Sequence, residues 1–398
     1  MNVLIIGGDG YCGWATSLYL SSRGHDVTIA DSLVRRDWDR EHGLDSLVPI
    51  ASMRRRIDEW YRLTGRTIAF APIDVTGYEA LCAAISSTAL DAVVHFEQQR
   101  RAPFSMIDRD HAVRTHLNNT VGNMNLLWAL RERAPNAHLV KLGTMGEYGT
   151  PNIDVEEGFI TIEHKGRTDT LPFPKQPGSF YHLTKVSDSD SIAFACRAWG
   201  LRATDLNQGI VYGTRTEQCA ISPALGNRYD YDHIFGTVLN RFCVQAALGH
   251  ALTVYGAGGQ TRSFLDIRDT VRCVEIALTN PARASEYRVF NQFTEMFSVA
   301  GLAERVVRVA RSLGVAATIA HVDNPRTERE SHYYNCVNTN LRSLGLEPTP
   351  LSDATIAGLI TLADEHRERV DLRLIPPSVS WRAAEPAAPA REGEPAVA

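Results

Sequence analysis

Short apolar runs and longer amphipathic stretches alternate through the first half of the chain. Residues 2–6 (NVLII) predict a buried strand, 11–23 a helix and 26–31 a second strand. A polar, Arg-rich excursion spans about 35–65, after which strands resume at 67–71, 91–96 and 137–142, separated by helices near 77–87 and 106–133. A long helical stretch at 180–199 leads into a further strand at 202–206. Strands separated by helices imply parallel βαβ units, so the predicted class is α/β with a doubly wound parallel sheet. Beyond about residue 207 the pattern turns irregular and rich in Gly, Asn and Asp, with helices near 236–249, 268–279 and 297–313. The expected organisation is a first domain over 1–207, to which some later segments return, and a second, smaller domain mainly over 208–375. The Pro-, Ala- and Glu-rich stretch 376–398 is expected to be disordered.

Composition narrows the partners. At 398 residues the chain is long enough for an α/β core with an appended domain. A formal charge of -5, with acids and bases interspersed and no basic block, argues against a nucleic-acid partner. Seven scattered cysteines without a CxxC pair argue against a disulfide framework and a zinc site, and read as reduced, buried thiols. No run of about 18 apolar residues suggests a membrane span, and the chain opens directly into a strand, so a cytoplasmic protein without a membrane partner is expected.

The chemistry begins at GGDGYCG, residues 7–13. Gly7, Gly10 and Gly13 form GxxGxxG between the first strand and the first helix, with Tyr11 and Cys12 inside the loop. Such a turn lets backbone approach a pyrophosphate, and the helix N-terminus offers it unpaired N–H groups. Asp31 closes the second strand, where a carboxylate can accept the adenosine ribose hydroxyls and repel a 2′-phosphate. That favours NAD over NADP, although Arg35 and Arg36 stand just downstream. Asp74 and Val75 follow the third strand, where either an adenine contact or a turn cap fits. Tyr181 and Lys185, four apart on a helix, share a face, and an ammonium beside a phenol favours phenolate. Thr144, after the 137–142 strand, offers a hydroxyl for the same substrate oxygen.

With these features in order, together with VVHF at 93–96, Asn118-Asn119 and Gly122, and Tyr148-Gly149, the chain resembles the extended short-chain dehydrogenase/reductase family of nucleotide-sugar epimerases and dehydratases. Stretches such as KLGTMGEYGTPNIDVEEG, FYHLTKVSDS, YDYDHIFGTVLNRF and NPRTERESHYYN are most similar to its UDP-sulfoquinovose synthase branch, over residues 1 to about 350. The resemblance implies a Rossmann-type sheet, NAD as cofactor, a UDP- or GDP-linked sugar as substrate, and a homodimer through helices near 106–133 and 180–199. It implies a catalytic set of Thr144, Tyr181 and Lys185, assisted by His182, and a cofactor contact at Asn119. Substrate contacts are implied at Gln99, Arg100, Arg101, Glu147, Asn207, Gln208, Arg262 and Arg326, the last two facing the diphosphate.

One loop departs from the branch. Where the sulfonate-forming enzymes read GEQRSAPYS, this chain reads EQQRRAPFS over 97–105, placing Glu97, Gln98 and Arg101 in altered positions. A new carboxylate beside sugar carbon 6 would repel sulfite. The loop therefore points to an NDP-sugar 4-epimerase of specialised metabolism, such as antibiotic biosynthesis, with UDP-sulfoquinovose synthase as the alternative. A common 4,6-dehydratase is disfavoured because Met145-Gly146 replaces the Asp-Glu pair that follows its catalytic Thr. A non-catalytic NAD-binding protein would have no use for the Thr-Tyr-Lys set.

Overall fold

The computed structural model describes residues 1–87, 89–96, 98–329 and 331–381. Fourteen strands are described: β1 (Asn2–Ile6), β2 (Asp26–Ala30), β3 (Ile68–Ala71), β4 (Ala92–His95), β5 (His138–Thr144), β6 (Phe159–His164), β7 (Arg167–Pro172), β8 (Arg202–Gln208), β9 (Ile210–Tyr212), β10 (Leu252–Tyr255), β11 (Thr261–Asp266), β12 (Tyr287–Gln292), β13 (Glu295–Ser298) and β14 (Ile319–Val322). The helices are α1 (Tyr11–Ser22), α2 (Val34–Glu41), α3 (Met53–Thr64), α4 (Tyr78–Ser86), α5 (Ala102–Ser105), α6 (Arg109–His116), α7 (Gly122–Arg133), α8 (Phe180–Trp199), α9 (Val238–Ala247), α10 (Ile267–Thr279), α11 (Val299–Ser312), α12 (Thr339–Ser343) and α13 (Asp353–Glu365), with a π-helical turn at Leu117–Val121 joining α6 to α7.

Seven strands form one sheet in the order β12-β8-β5-β4-β1-β2-β3, all paired in parallel. Both faces are covered, which is why NVLII is apolar without interruption. Val3 and Ile5 join the cluster under α1 and α10, whereas Leu4 and Ile6 pack with Leu81, Leu126 and Ile192 from α4, α7 and α8 on the other face. A second core unites α9, α11 and α13 through Phe242, Val306 and Ile360. Small sheets β13-β11-β9 and β10-β14 stand beside it. β12 nevertheless returns to the large sheet and pairs with β8 from Tyr287↔Ala203 to Gln292↔Gln208. No helix among the described residues is long and apolar enough to cross a membrane.

Three departures from the sequence reading have local causes. The polar excursion 35–65 contains α2 and α3, whose apolar period is masked because α3 turns Met53, Arg56 and Trp60 inward. Arg56 is fully buried, paired with Asp9 at 2.8 Å and stacked 3.8 Å from the Trp14 ring. The hairpin β6–β7, closed by Lys165–Gly166, packs only its root, through Phe159 and Ile160, and is exposed over the rest, so burial imposes no sustained alternation and no strand was legible there. Residues 376–381, expected to be disordered, instead run extended: buried Ile375 anchors them and the Trp381 N–H donates to the Pro325 carbonyl at 2.8 Å. Residues 382–398 lie outside the described residues.

Candidate active site

The β1–α1 turn is built for close approach. Gly7 has φ 87°, and a Cβ on Gly13 would stand 2.0 Å from the Gly7 carbonyl oxygen, so only hydrogen fits where α1 packs against the turn. Gly10 begins α1 without a side-chain cap, leaving the first-turn N–H groups for a ligand. At the end of β2, the buried Asp31 carboxylate accepts the N–H groups of Asp9 and Leu33, each at 2.7 Å. Burial and the neighbouring Asp9 charge push this carboxyl up to about 6. The two basic residues that could accept a 2′-phosphate are committed elsewhere. Arg36 grips both Asp9 oxygens at 2.6 and 2.7 Å, and Arg35 pairs with Asp39 at 2.8 Å. Glycine turn, uncapped helix start and strand-end carboxylate thus fit an adenine dinucleotide without the extra phosphate. Asp74 accepts the N–H and hydroxyl of Thr76 at 2.8 and 2.7 Å, the turn-cap geometry, and Val75 is buried beneath it.

A cavity of about 460 Å³ opens at the C-terminal ends of β5 and β8. Its walls include Tyr11 and Cys12 from the glycine turn, Arg100 and Arg101 from the loop after β4, Thr144 and Gln208 from the strand ends, Tyr181 and His182 from α8, and Arg262 and Arg326 from the second core's side. β5 runs two residues further than the sequence pattern suggested, so Thr144 is its last residue rather than part of the following loop.

Tyr181 enters from the first turn of α8, whose start is capped by Ser179 and whose Tyr181 N–H donates to the Ser105 hydroxyl at 3.0 Å. Burial pushes its phenol up to about 12, while the charges of Arg101 and Lys141 and a hydrogen bond with Thr144 oppose that rise. Arg101, not Lys185, is therefore the cation acting most strongly on the phenol. Lys185 shares the face as expected, but its ammonium donates to the Leu142 carbonyl at 2.6 Å and to the Gln98 side-chain oxygen. Burial first, and then Lys141, push the Lys185 ammonium down to about 8. His182 lies beside Tyr181, ring centroids 4.9 Å apart, with Nδ1 3.0 Å from the Ser179 hydroxyl. Burial and the charges of Arg326 and Arg262 hold it at about 3, so it is neutral and carries no spare proton at physiological pH.

Four expected contacts sit behind the cavity wall. Glu147 is fully buried and held by Lys175 at 2.7 Å, Ser189 at 3.0 Å and Lys141 at 3.3 Å, because a carboxylate there must neutralise buried cations. Asn207 donates to the Tyr148 hydroxyl at 2.8 Å. Gln99 donates to the Arg101 carbonyl at 2.9 Å and shapes the loop rather than reaching into the cavity. Asn119 donates to the Gln99 carbonyl at 2.9 Å and the Thr184 hydroxyl at 2.8 Å, pinning that loop to α8. Glu97 lies outside the described residues.

Sequence reasoning missed the support of Lys185. Gln98 accepts from Lys185 and donates to Asp188 at 2.5 Å, bridging residues about 90 positions away. It also missed cavity residues beyond residue 207, notably His233 and Tyr334 on irregular segments, Arg241 on α9 and Tyr255 at the end of β10, together with Pro377, Val379 and Trp381 of the C-terminal stretch. Only the aromatic residue within a Pro-rich tail stood as a signal for the last of these.

Residues 3–291 match the NAD dependent epimerase/dehydratase family. The chain is 59% identical over 380 residues to the chloroplastic UDP-sulfoquinovose synthase of Spinacia oleracea, covering 96% of this chain and 79% of that protein. It is 40% identical over 385 residues to the UDP-sulfoquinovose synthase of Sulfolobus acidocaldarius, covering 96% and 98%. Among solved structures, the UDP-glucose-4-epimerase of Stenotrophomonas maltophila, with bound NAD and formylated UDP-arabinopyranose, is similar in fold: TM-score 0.71, 20% identity, 93% of this chain and 100% of that one.

Proposed function

Because the chain belongs to the NAD-dependent epimerase/dehydratase family, and is thus an NAD-dependent nucleotide-sugar enzyme, we propose that it forms UDP-sulfoquinovose and water from UDP-glucose and sulfite. The observation that carries this reading is the full-length similarity to two such synthases, against a likeness in fold alone to the epimerase. The altered loop, from which a 4-epimerase was expected, argues the other way once its described residues are placed. Gln98 turns inward to Lys185 and Asp188, and Arg101 adds a cation to the cavity wall, which suits an anionic nucleophile.

The Gly7–Gly13 turn, the first-turn N–H groups of α1 and Asp31 would hold NAD, which would supply a reversible hydride acceptor for sugar carbon 4. Tyr181, as phenolate, takes the proton of the hydroxyl on carbon 4, while Thr144 holds that oxygen. Arg101 and Lys141 favour the phenolate across the buried site. The resulting ketone acidifies carbon 5; the carbon 5 proton and the carbon 6 hydroxyl would leave as water, giving a double bond conjugated with the ketone, and bisulfite would add its sulfur to carbon 6 while carbon 5 takes up the proton. The Asp-Glu pair of common dehydratases has no room here: a Cβ on Gly146 would lie 2.3 Å from His182 Nε2. Arg262 and Arg326 supply cationic faces for the diphosphate. Seven free, buried thiols suit a reducing compartment, in keeping with the cytoplasmic expectation. We also infer a homodimer through the exposed apolar stripe of α6–α8.

The test is direct. The protein with NAD and UDP-glucose, with and without sulfite, is expected to give a sulfonated nucleotide-sugar only when sulfite is present, read by mass spectrometry and proton NMR. An isobaric product inverted at carbon 4 and indifferent to sulfite would restore the epimerase and overturn the synthase.

A further inference from the structure

Part of the cavity's outer wall is a segment, 376–381, that leaves the second core at Ile375. From buried Ile375 onward, exposure alternates: Pro377, Val379 and Trp381 are half-buried, while Pro376, Ser378 and Ser380 are exposed, and Pro377, Ser378, Val379 and Trp381 line the cavity. Period-two burial is the mark of an extended segment lying against a surface with one face in use. Two polar latches hold it. The Ser378 hydroxyl bonds His233 Nε2, and the Trp381 N–H donates to the Pro325 carbonyl at 2.8 Å. His233 is itself fixed to the root of the strap, its N–H donating to the Leu374 carbonyl at 2.8 Å. The Trp381 ring ends the strap 5.2 Å from the guanidinium carbon of Arg326, one of the arginines that line the cavity. That is within the range in which an aromatic face attracts and orients a guanidinium. The neighbouring Arg262 is oriented differently, by its ion pair with Glu328.

We propose that residues 375–381 form the removable outer wall of the sugar-nucleotide site, and that Trp381 is a positioning residue that holds Arg326 toward the substrate diphosphate. This rests on the reading of the cavity as a nucleotide-sugar site. A ring on one guanidinium face would leave the in-plane N–H fork free for paired phosphate oxygens. Ligand entry and exit would lift the strap from its latches while Ile375 stays anchored in the second core.

UDP-glucose affinity is measured by calorimetry on the full-length, NAD-loaded protein and on its Trp381→Ala and Trp381→Phe variants. The alanine variant is expected to bind UDP-glucose about tenfold more weakly, and the phenylalanine variant within about threefold of the unaltered protein. NAD affinity, set at the glycine turn, is expected to be the same in all three. Equal UDP-glucose affinity in the alanine variant and the unaltered protein would overturn the role of Trp381. Equal weakening in both variants would overturn the need for an aromatic face. Failure of the unaltered protein to bind UDP-glucose at all would instead overturn the nucleotide-sugar reading beneath the proposal.

Discussion

At the scale of single residues, the site's chemistry depends on which cation serves which group. Spacing made Tyr181 and Lys185 visible together, and the structure keeps them on one face. What spacing did not reveal is that Lys185 is engaged by Gln98 and Leu142, whereas Arg101 acts on the phenol. That division followed from contacts between β4's loop and α8, about 80 to 90 positions apart, which no local pattern encodes. It has a measurable sign. Removing Arg101's charge disfavours phenolate, raises the Tyr181 pKa and moves the ascending limb of the pH–rate profile to higher pH. An Arg101→Ala variant is expected to show an alkaline shift of about one pH unit, with its rate recovering as pH rises. An unmoved limb would remove Arg101 from the account. Tyr181→Phe, by contrast, should lose about 10²–10⁴-fold in turnover at every pH while still binding NAD.

At the scale of elements, legibility tracked burial. Strands covered on both faces announced themselves as apolar runs, and α8 and the glycine turn were placed within a residue or two. α3 escaped because an arginine occupies its inner face, and β6–β7 because all but its root is exposed. Asn207 and Glu147, expected at the substrate, sit behind the cavity wall: a polar residue near a strand end looks the same in sequence whether it faces a ligand or a buried polar partner. The β1–α1 junction is the element whose tolerance is narrowest. Gly13→Ala forces a methyl carbon onto the Gly7 carbonyl, so strand and helix must part. The expected cost is about 1–3 kcal/mol of stability together with at least a tenfold loss of NAD affinity, read by thermal melts and NAD titration. An unchanged NAD affinity would mean that the cofactor does not use this turn.

At the scale of the whole molecule, one surface is at odds with a solitary chain. Val113, Leu117, Val121, Met124 and Trp128 are each at least 40% exposed and recur every three or four residues along α6, the π-helical turn and α7. Phe180, Leu183 and Phe194 add to it from α8. The proposed homodimer would cover this stripe with its copy on a second chain. Sedimentation velocity is expected to give a dimer, and Leu117→Glu a monomer; a monomeric unaltered protein would leave the stripe unexplained. The return of β12 to the edge of β8 bears on a different matter, the order in which the molecule can come into being. A nascent chain released only as far as residue 207 holds β8 paired with β5 on one side but bare along its other edge until some 80 further residues have been made. The sheet that carries the cofactor turn is therefore completed only after Arg241 and Arg262 of the cavity's far wall have been synthesised, while Arg326 follows later.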